Sequence, residues 1–335
     1  MEQQNYSGRW LITGGLGFIG RRLTQHLLKH EGVSIKTFDN ETVGQVSDYA
    51  ALFNVDVKTN DPSGWSKPDS AIIRHVKGDI RNVDEVRNVI KDADYIIHLA
   101  ANTGVEPSMN DPQYDMESNV VGTFNILESS RHLKNPPAIV FASSNAPLGA
   151  AELPANEKSP LRPLSPYGAS KAAGEVYMSA YAESFDLRTA ALRFGNVYGP
   201  GSLHKGSVVA KFIRRALAGQ TLEIYGDGTQ SRDFIYIDDL VRGIMLAATT
   251  ANISGETFQL SPGSETTVQE ITDSLTAALT ARGHEAPDVR YTEKRKGDMQ
   301  KNYSDVSKAK NKLGWIAEQD LTEGLGITVD WFLEQ

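Results

Sequence analysis

Short, nearly uninterrupted apolar runs alternate with longer stretches whose apolar residues recur every three or four positions through the first two thirds of the chain. Runs of the first kind suit strands covered on both faces, and stretches of the second kind suit helices lying against them. The pattern predicts strands at Trp10-Leu11-Ile12, 33–38, 72–76, 95–99 and 138–142, with helices over 18–30, 83–90 and 119–132. A further helix is expected over 167–183 and a sixth strand over 188–194. Alternation of this kind implies α/β architecture: a Rossmann-type, doubly wound parallel sheet with helices on both sides.

After Tyr198-Gly199-Pro200-Gly201 the rhythm changes. Helices are expected over 208–217, 239–249 and 268–282, with short strands at 222–225 and 257–260. The shift predicts a sheet domain over 1–195 and a smaller C-terminal α/β lobe over 196–335, with segments near 235–260 returning to the sheet domain. Asp61-Pro62-Ser63-Gly64 and Lys67-Pro68 mark an irregular excursion between the second and third strands.

Composition narrows the chemistry. The 335 residues carry 34 Lys plus Arg against 42 Asp plus Glu, a formal charge of -8, so the basic footprint of a nucleic-acid or anionic-membrane binder is missing. Neither nucleic acid nor membrane is expected as a partner. Without cysteine there is no disulfide framework, thiolate metal site or thiol nucleophile. No run reaches the roughly 18 apolar residues of a membrane span, and the polar start, Met1 to Ser7, lacks the form of a targeting segment, so a cytoplasmic protein is expected.

Thr13-Gly14-Gly15-Leu16-Gly17-Phe18-Ile19-Gly20 lies where the first strand meets the first helix. Gly14, Gly17 and Gly20 permit a tight turn, approach of backbone N–H groups to a pyrophosphate, and close helix–sheet packing. Asp39, followed by Asn40, closes the second strand 19 residues after Gly20. A carboxylate there suits the ribose hydroxyls of NAD and repels the extra phosphate of NADP. Asp79-Ile80 and Leu99-Ala100-Ala101 end two more strands at the same crevice. Asp79 is placed for an adenine amine or, alternatively, to cap the next helix. The small residues at 100 and 101 suit a flat ligand or plain packing.

Tyr167-Gly168-Ala169-Ser170-Lys171 opens a helix, so Tyr167 and Lys171 share one face. An ammonium nearby favours the phenolate, the form that removes a proton from an alcohol. Ser144, ending the fifth strand, can hydrogen-bond the same substrate oxygen. Alone, a Tyr and Lys four apart are as readily a solvated pair. Downstream of a dinucleotide turn they form a catalytic set.

These motifs, with His98-Leu99-Ala100-Ala101, Gly195-Asn196-Val197-Tyr198-Gly199-Pro200 and the run from Gly226 to Leu240, resemble the extended short-chain dehydrogenase/reductase superfamily. Within it the chain is similar to the NAD-dependent nucleotide-sugar epimerase/dehydratase family. The match continues through Arg295-Lys296-Gly297-Asp298 and Leu313-Gly314-Trp315. The resemblance implies NAD as cofactor, with Asn119, Ala142, Tyr167, Lys171 and Phe194 completing its site. It also implies a nucleotide-sugar substrate held by the C-terminal lobe. Thr103, Ser144, Asn145, Asn196, Lys205, Val209, Arg232, Arg295 and Asp298 are the substrate-side residues, the arginines because a diphosphate favours planar, permanently charged donors. For Arg232 the alternative is a surface ion pair with Asp233.

The implied chemistry is oxidation at C4 to a 4-keto sugar, with Tyr167 as base, Ser144 beside the ketone and Lys171 supporting the phenolate. Family dehydratases place an Asp-Glu pair after the serine and decarboxylases a Glu. This chain has Asn145-Ala146, which cannot move those protons. A UDP-hexose 4-epimerase is therefore expected, with UDP-uronic acid or UDP-N-acetylhexosamine epimerase, then 4,6-dehydratase, as alternatives. A non-catalytic NAD-sensing scaffold is the alternative of another class. Leu148, where the family usually has Tyr, and Asn302 leave room for a larger sugar, whereas Gly201 stands where uronate epimerases carry an arginine. The resemblance also implies a homodimer formed through the 119–132 and 167–183 helices.

Overall fold

The computed structural model describes residues 5–53, 56–59, 62, 64–65, 72–294 and 300–335. The chain divides into two compact units, the first made of Met1–Gly149, Pro160–Arg193 and Val241–Phe258 and the second of Ala150–Ser159, Phe194–Leu240 and Gln259–Gln335. Residues 150–159 thus group with the second unit, although the sequence reading assigns them to the sheet domain.

In chain order the first part of the molecule runs β1 (Gly8–Thr13), α1 (Phe18–Leu27), β2 (Val33–Asp39), α2 (Val46–Phe53), β3 (Asp56–Thr59), β4 (Ile72–Lys77), α3 (Val83–Val89) and β5 (Tyr95–His98). Two short helices follow, α4 (Val105–Asn110) and α5 (Pro112–Met116), then a π-helical turn at Glu117–Val121 that leads into α6 (Gly122–Arg131). Next come β6 (Ala138–Ser144), a 3-10 turn at Ala146–Leu148, α7 (Pro166–Phe185) and β7 (Thr189–Phe194). The remainder comprises β8 (Asn196–Tyr198), α8 (Val208–Leu217), β9 (Leu222–Tyr225), β10 (Ser231–Arg232), β11 (Phe234–Tyr236), α9 (Ile237–Thr249), β12 (Glu256–Leu260), β13 (Thr266–Thr267), α10 (Val268–Thr280), β14 (Val289–Thr292), α11 (Ser307–Leu313) and α12 (Leu321–Leu333).

The central sheet has the strand order β12-β7-β6-β5-β1-β2-β4-β3. From β6 to β3 every neighbour is parallel, with β1 placed between β2 and β5 in registers such as Ile12↔Thr37 and Ile12↔Ile97. The chain therefore reverses direction across the sheet at β1, and the carboxyl ends of β1 and β5 border the crevice where ligands of such sheets bind. One apolar layer, including Leu11, Phe38, Ile96, Ile139 and Phe141, meets Val86, Ile126, Leu127 and Met178 from α3, α6 and α7. This layer explains why the strand sequences are continuous apolar runs. On α6 and α7, Ile126, Leu127 and Met178 are core, while Phe124, Val176 and Tyr177 stay exposed.

In the second unit, β8 pairs with β11 and β9 with β14 in parallel, and β10 pairs with β13 antiparallel. Trp315 is fully buried there and donates its indole N–H to the Asp239 carbonyl at 2.9 Å. α10 begins with a capping box of Thr267 and Glu270. No helix among the described residues is long and apolar enough to cross a membrane.

Candidate active site

The glycine turn is shaped by contacts that exclude side chains. Gly14 has φ +67°, and a Cβ there would lie 2.7 Å from the Ala100 nitrogen. A Cβ at Gly20 would sit 2.6 Å from both the Gly14 and Gly15 carbonyl oxygens. The turn is thus pressed against the Leu99-Ala100 strand end, and α1 starts directly above it. Gly17, at the N-cap, supplies no side-chain cap, and the first turn carries no acid. That helix end, polarised positive, presents its N–H face to an anion.

Asp39 ties the turn to the end of β2. Its Oδ2 accepts the Leu16 N–H at 3.0 Å and its Oδ1 the Glu41 N–H at 2.8 Å. Burial pushes the carboxyl above its ordinary range, and the two N–H donors pull it back. Each oxygen keeps a lone pair for a ribose hydroxyl. Asn40 folds on itself, accepting the Thr42 hydroxyl at 2.8 Å. These features fit NAD, which would be held by the Gly14–Gly20 turn and Asp39.

Asp79 does not cap α3. Asn82 does, accepting the Asp84 and Glu85 N–H groups, while Asp79 is gripped by Arg81 at 2.7 to 3.1 Å. Ile80 is buried, and its carbonyl accepts from Asn125 at 2.9 Å. Asn119 clamps the loop after β5 at two points: its Oδ1 accepts the Asn102 N–H at 2.8 Å, and its Nδ2 donates to the Asn102 carbonyl at 3.0 Å. Ala100 is held by the Thr13 hydroxyl, and exposed Thr103 bonds back to Ala101.

Ser144, Tyr167 and Lys171 come together because α7 approaches β6 closely. A Cβ at Gly168 would lie 2.6 Å from the Ala146 carbonyl, and one at Gly174 would overlap the Phe141 ring. Ser165 caps the helix, accepting the Gly168 N–H at 3.1 Å, with Pro166 in the first turn. Ser144 Oγ accepts the Ala146 N–H at 3.0 Å and lies close enough to the Tyr167 hydroxyl to favour its ionised form. Lys171 is 3% exposed, donates to the Ala142 carbonyl at 2.8 Å and lies over Phe141.

The electrostatics differ from the sequence expectation in one respect. Burial dominates Tyr167 and raises its phenol above the ordinary value, with Ser144 opposing. The lysine carries its own burial penalty and is pulled down to about 8, while Asp115 and then Glu175 hold it up. A phenol inserted beside a buried ammonium meets desolvation as well as attraction, and i,i+4 spacing reports only the second. Asp115 was not singled out from sequence. The available signal was its place four residues before Asn119 on one helical face.

Of the other assigned residues, Asn145 adjoins Ser144 and the rest lie elsewhere along the chain. Phe194, 8% exposed, ends β7, and Asn145 is 7% exposed, so both are side chains of the interior. Leu148 is likewise buried at 2%, packed in the 3-10 turn. In the second unit Asn196 is exposed at the start of β8, Lys205 reaches the Val197 carbonyl at 3.5 Å, and Val209 is buried in α8. Arg232 donates to the Ser231 carbonyl at 2.7 Å. Its neighbour Asp233 is 2% exposed and accepts from the Ser261 hydroxyl and the Gly263, Ser264 and Ser304 N–H groups, an interior role in place of a surface one. Arg295 and Asp298 lie outside the described residues.

A model of the NAD dependent epimerase/dehydratase family matches residues 10–261. The UDP-glucose 4-epimerase of Mycolicibacterium smegmatis is 33% identical over 330 residues, covering 97% of this chain and 98% of that protein. The dTDP-glucose 4,6-dehydratase of Streptomyces antibioticus is 31% identical over 324 residues, covering 96% and 91%. Among solved structures, the UDP-N-acetylglucosamine 4-epimerase of Methanobrevibacter ruminantium M1 in complex with UDP-N-acetylmuramic acid superposes with a TM-score of 0.85 at 29% identity, over 98% of this chain and 99% of the other.

Proposed function

We propose, since this chain belongs to the NAD dependent epimerase/dehydratase family, that it inverts C4 of a nucleotide sugar and that its substrate is a UDP-hexose. One observation carries the choice of epimerase over dehydratase. Directly after Ser144 stand Asn145 and Ala146, neither of which can donate or accept a proton at C5 or C6.

The chemistry that NAD supplies when bound is a reversible two-electron oxidation at C4. The protein's own residues handle the proton. Ser144 Oγ accepts from the Ala146 N–H, so its hydrogen is directed away from the backbone to Tyr167 or the sugar oxygen. Tyr167 takes the proton of the 4-hydroxyl and returns it after the sugar has presented its other face. Lys171 supplies the positive charge that makes the phenolate accessible. Asn196, Arg232 and Arg295 are proposed from the motif alone as the diphosphate's partners, and Lys205 as a further substrate-side residue.

A homodimer acting in the cytoplasm completes the reading. Its support is the exposed apolar strip on α6, the turn before it and α7, with Val121 at 36%, Phe124 at 37%, Tyr177 at 39% and Val176 at 57% exposure.

The test is incubation with UDP-glucose, UDP-galactose, UDP-glucuronate, UDP-N-acetylglucosamine and dTDP-glucose, with products resolved by NMR and mass spectrometry. A C4 epimer at unchanged mass is expected, and loss of water or carbon dioxide would overturn the reading. Tyr167→Phe should retain the fold and lower kcat by ~10²–10⁴.

A further inference from the structure

Asp115 is a buried carboxylate that acts on the Tyr167–Lys171 pair and has no part in the proposed mechanism. It is the penultimate residue of α5, which runs into the π-helical turn at Glu117–Val121. Such turns insert an extra residue into a helix and recur at functional sites. Here the turn is flanked by contacts that bind it to α7. Asn119 Nδ2 reaches Asp115 Oδ1 and Ser170 Oγ, each at 3.0 Å. Asp115 is 1% exposed, and its Oδ2 has no hydrogen-bond partner among the described residues. A buried carboxylate oxygen in that state is costly unless a cation offsets it, and here burial pushes the Asp115 carboxyl above its ordinary range while the Ser170 hydroxyl and then the Lys171 charge pull it back.

The surrounding charges identify the cation. On α7 stand Tyr167, Lys171 and Glu175, on β5 His98, and on β7 Arg193. Glu175 already has a buried partner: Arg193 donates to it at 2.7 and 2.9 Å, and the Ser143 hydroxyl at 2.6 Å. His98 is held between the Thr13 and Thr123 hydroxyls and is kept neutral by burial. Glu117 is partly exposed and faces Arg81, and Glu106 on α4 is exposed. Lys171 is left, with a single N–H directed to the Ala142 carbonyl and two more to give. Asp115 acts on it more strongly than Glu175 does.

The geometry points to Asp115 as a positioning residue: a buried, half-satisfied counter-ion that keeps the Lys171 ammonium charged beside Tyr167 and, through Asn119, holds the loop at Asn102 in place. The inference rests on the proposed base role of Tyr167. Asp115 repels the phenolate directly while supporting the ammonium that stabilises it, so the lysine itself is the informative group to titrate.

The experiment uses the full-length, NAD-loaded protein with isotope-labelled lysine, the Lys171 signal being identified by its loss in Lys171→Met. Its titration is followed by NMR in the wild type, Asp115→Asn and Asp115→Glu. Asparagine keeps an acceptor for Asn119 and removes the charge, so the Lys171 midpoint should fall by about one pH unit or more. The alkaline limb of kcat on UDP-glucose should move with it. Asp115→Glu should bring the midpoint back towards the wild type. An unchanged midpoint in Asp115→Asn, or equal shifts in both variants, would overturn the assignment. If Asp115→Asn does not fold, Asp115→Ser carries the same comparison. Retained turnover in Tyr167→Phe would instead refute the base role, a separate result that leaves the lysine titration standing.

Discussion

Lys171 links two properties that respond to pH in opposite directions. Its midpoint falls from the ordinary 10.5 to about 8 in the folded protein, chiefly through burial. Between those values the unfolded chain binds the proton that the native state has released, so this group makes stability rise with pH across that window. Turnover, which needs the ammonium, should fall across the same window. The expected outcome is a kcat that declines above about pH 8 while the melting temperature holds or climbs. Parallel loss of both would show that unfolding, not Lys171, sets the alkaline limit. At this scale the sequence is informative about residue identity and silent about environment. Asp39, Ser144, Tyr167 and Lys171 can be found by their spacing. That burial raises Tyr167, or that it lowers Lys171 while Asp115 holds the lysine up, depends on which atoms surround each group.

Elements were legible where one periodicity governs a whole segment. α8 and β9 occupy the expected residues, because Val208–Leu217 has a single apolar face and Leu222–Tyr225 alternates. The segment from 105 to 121 was not legible. Pro107 and Pro112 both sit in the first turns of short helices, where a missing N–H costs little, so neither ends a helix. β10 and β13, at two residues each, are too short for any pattern. The helix that bears Tyr167 and Lys171 depends on its glycines. Gly174→Ala places a methyl group into the Phe141 ring, and the helix must shift outwards. A loss of about 1–3 kcal/mol in urea unfolding is expected, with a larger proportional loss of kcat than of substrate affinity. Unchanged stability would mean that Phe141 yields freely.

At the scale of the whole molecule, the fold class followed from strand–helix alternation, but the path of the chain did not. Strand order is decided by long-range pairing, and nothing local in Glu256–Leu260 announces that it borders β7. Assembly is a prediction at this scale too. Val176→Glu, on the exposed strip of α7, should convert a dimer into a monomer in light scattering without lowering the melting temperature of the protomer by more than ~1 kcal/mol equivalent. A wild-type monomer at micromolar concentration would remove the dimer from the reading.

The discontinuous first unit has a consequence for how the protein is made. The chain passes between the units after residues 149, 159, 193, 240 and 258. Its sheet is completed only when β12 is available, so on the ribosome β7 remains an unpaired edge while the intervening segment is synthesised at roughly 5–20 residues per second. An open, apolar parallel edge is a template for pairing with other chains. A fragment ending at residue 195, where the sequence rhythm invites a cut, should therefore emerge as aggregate or bind chaperone, while one ending at 260 should keep more of its sheet soluble. Pulse-labelled synthesis of the two lengths, followed by sedimentation, would show whether the nascent protein is guarded by its own later residues.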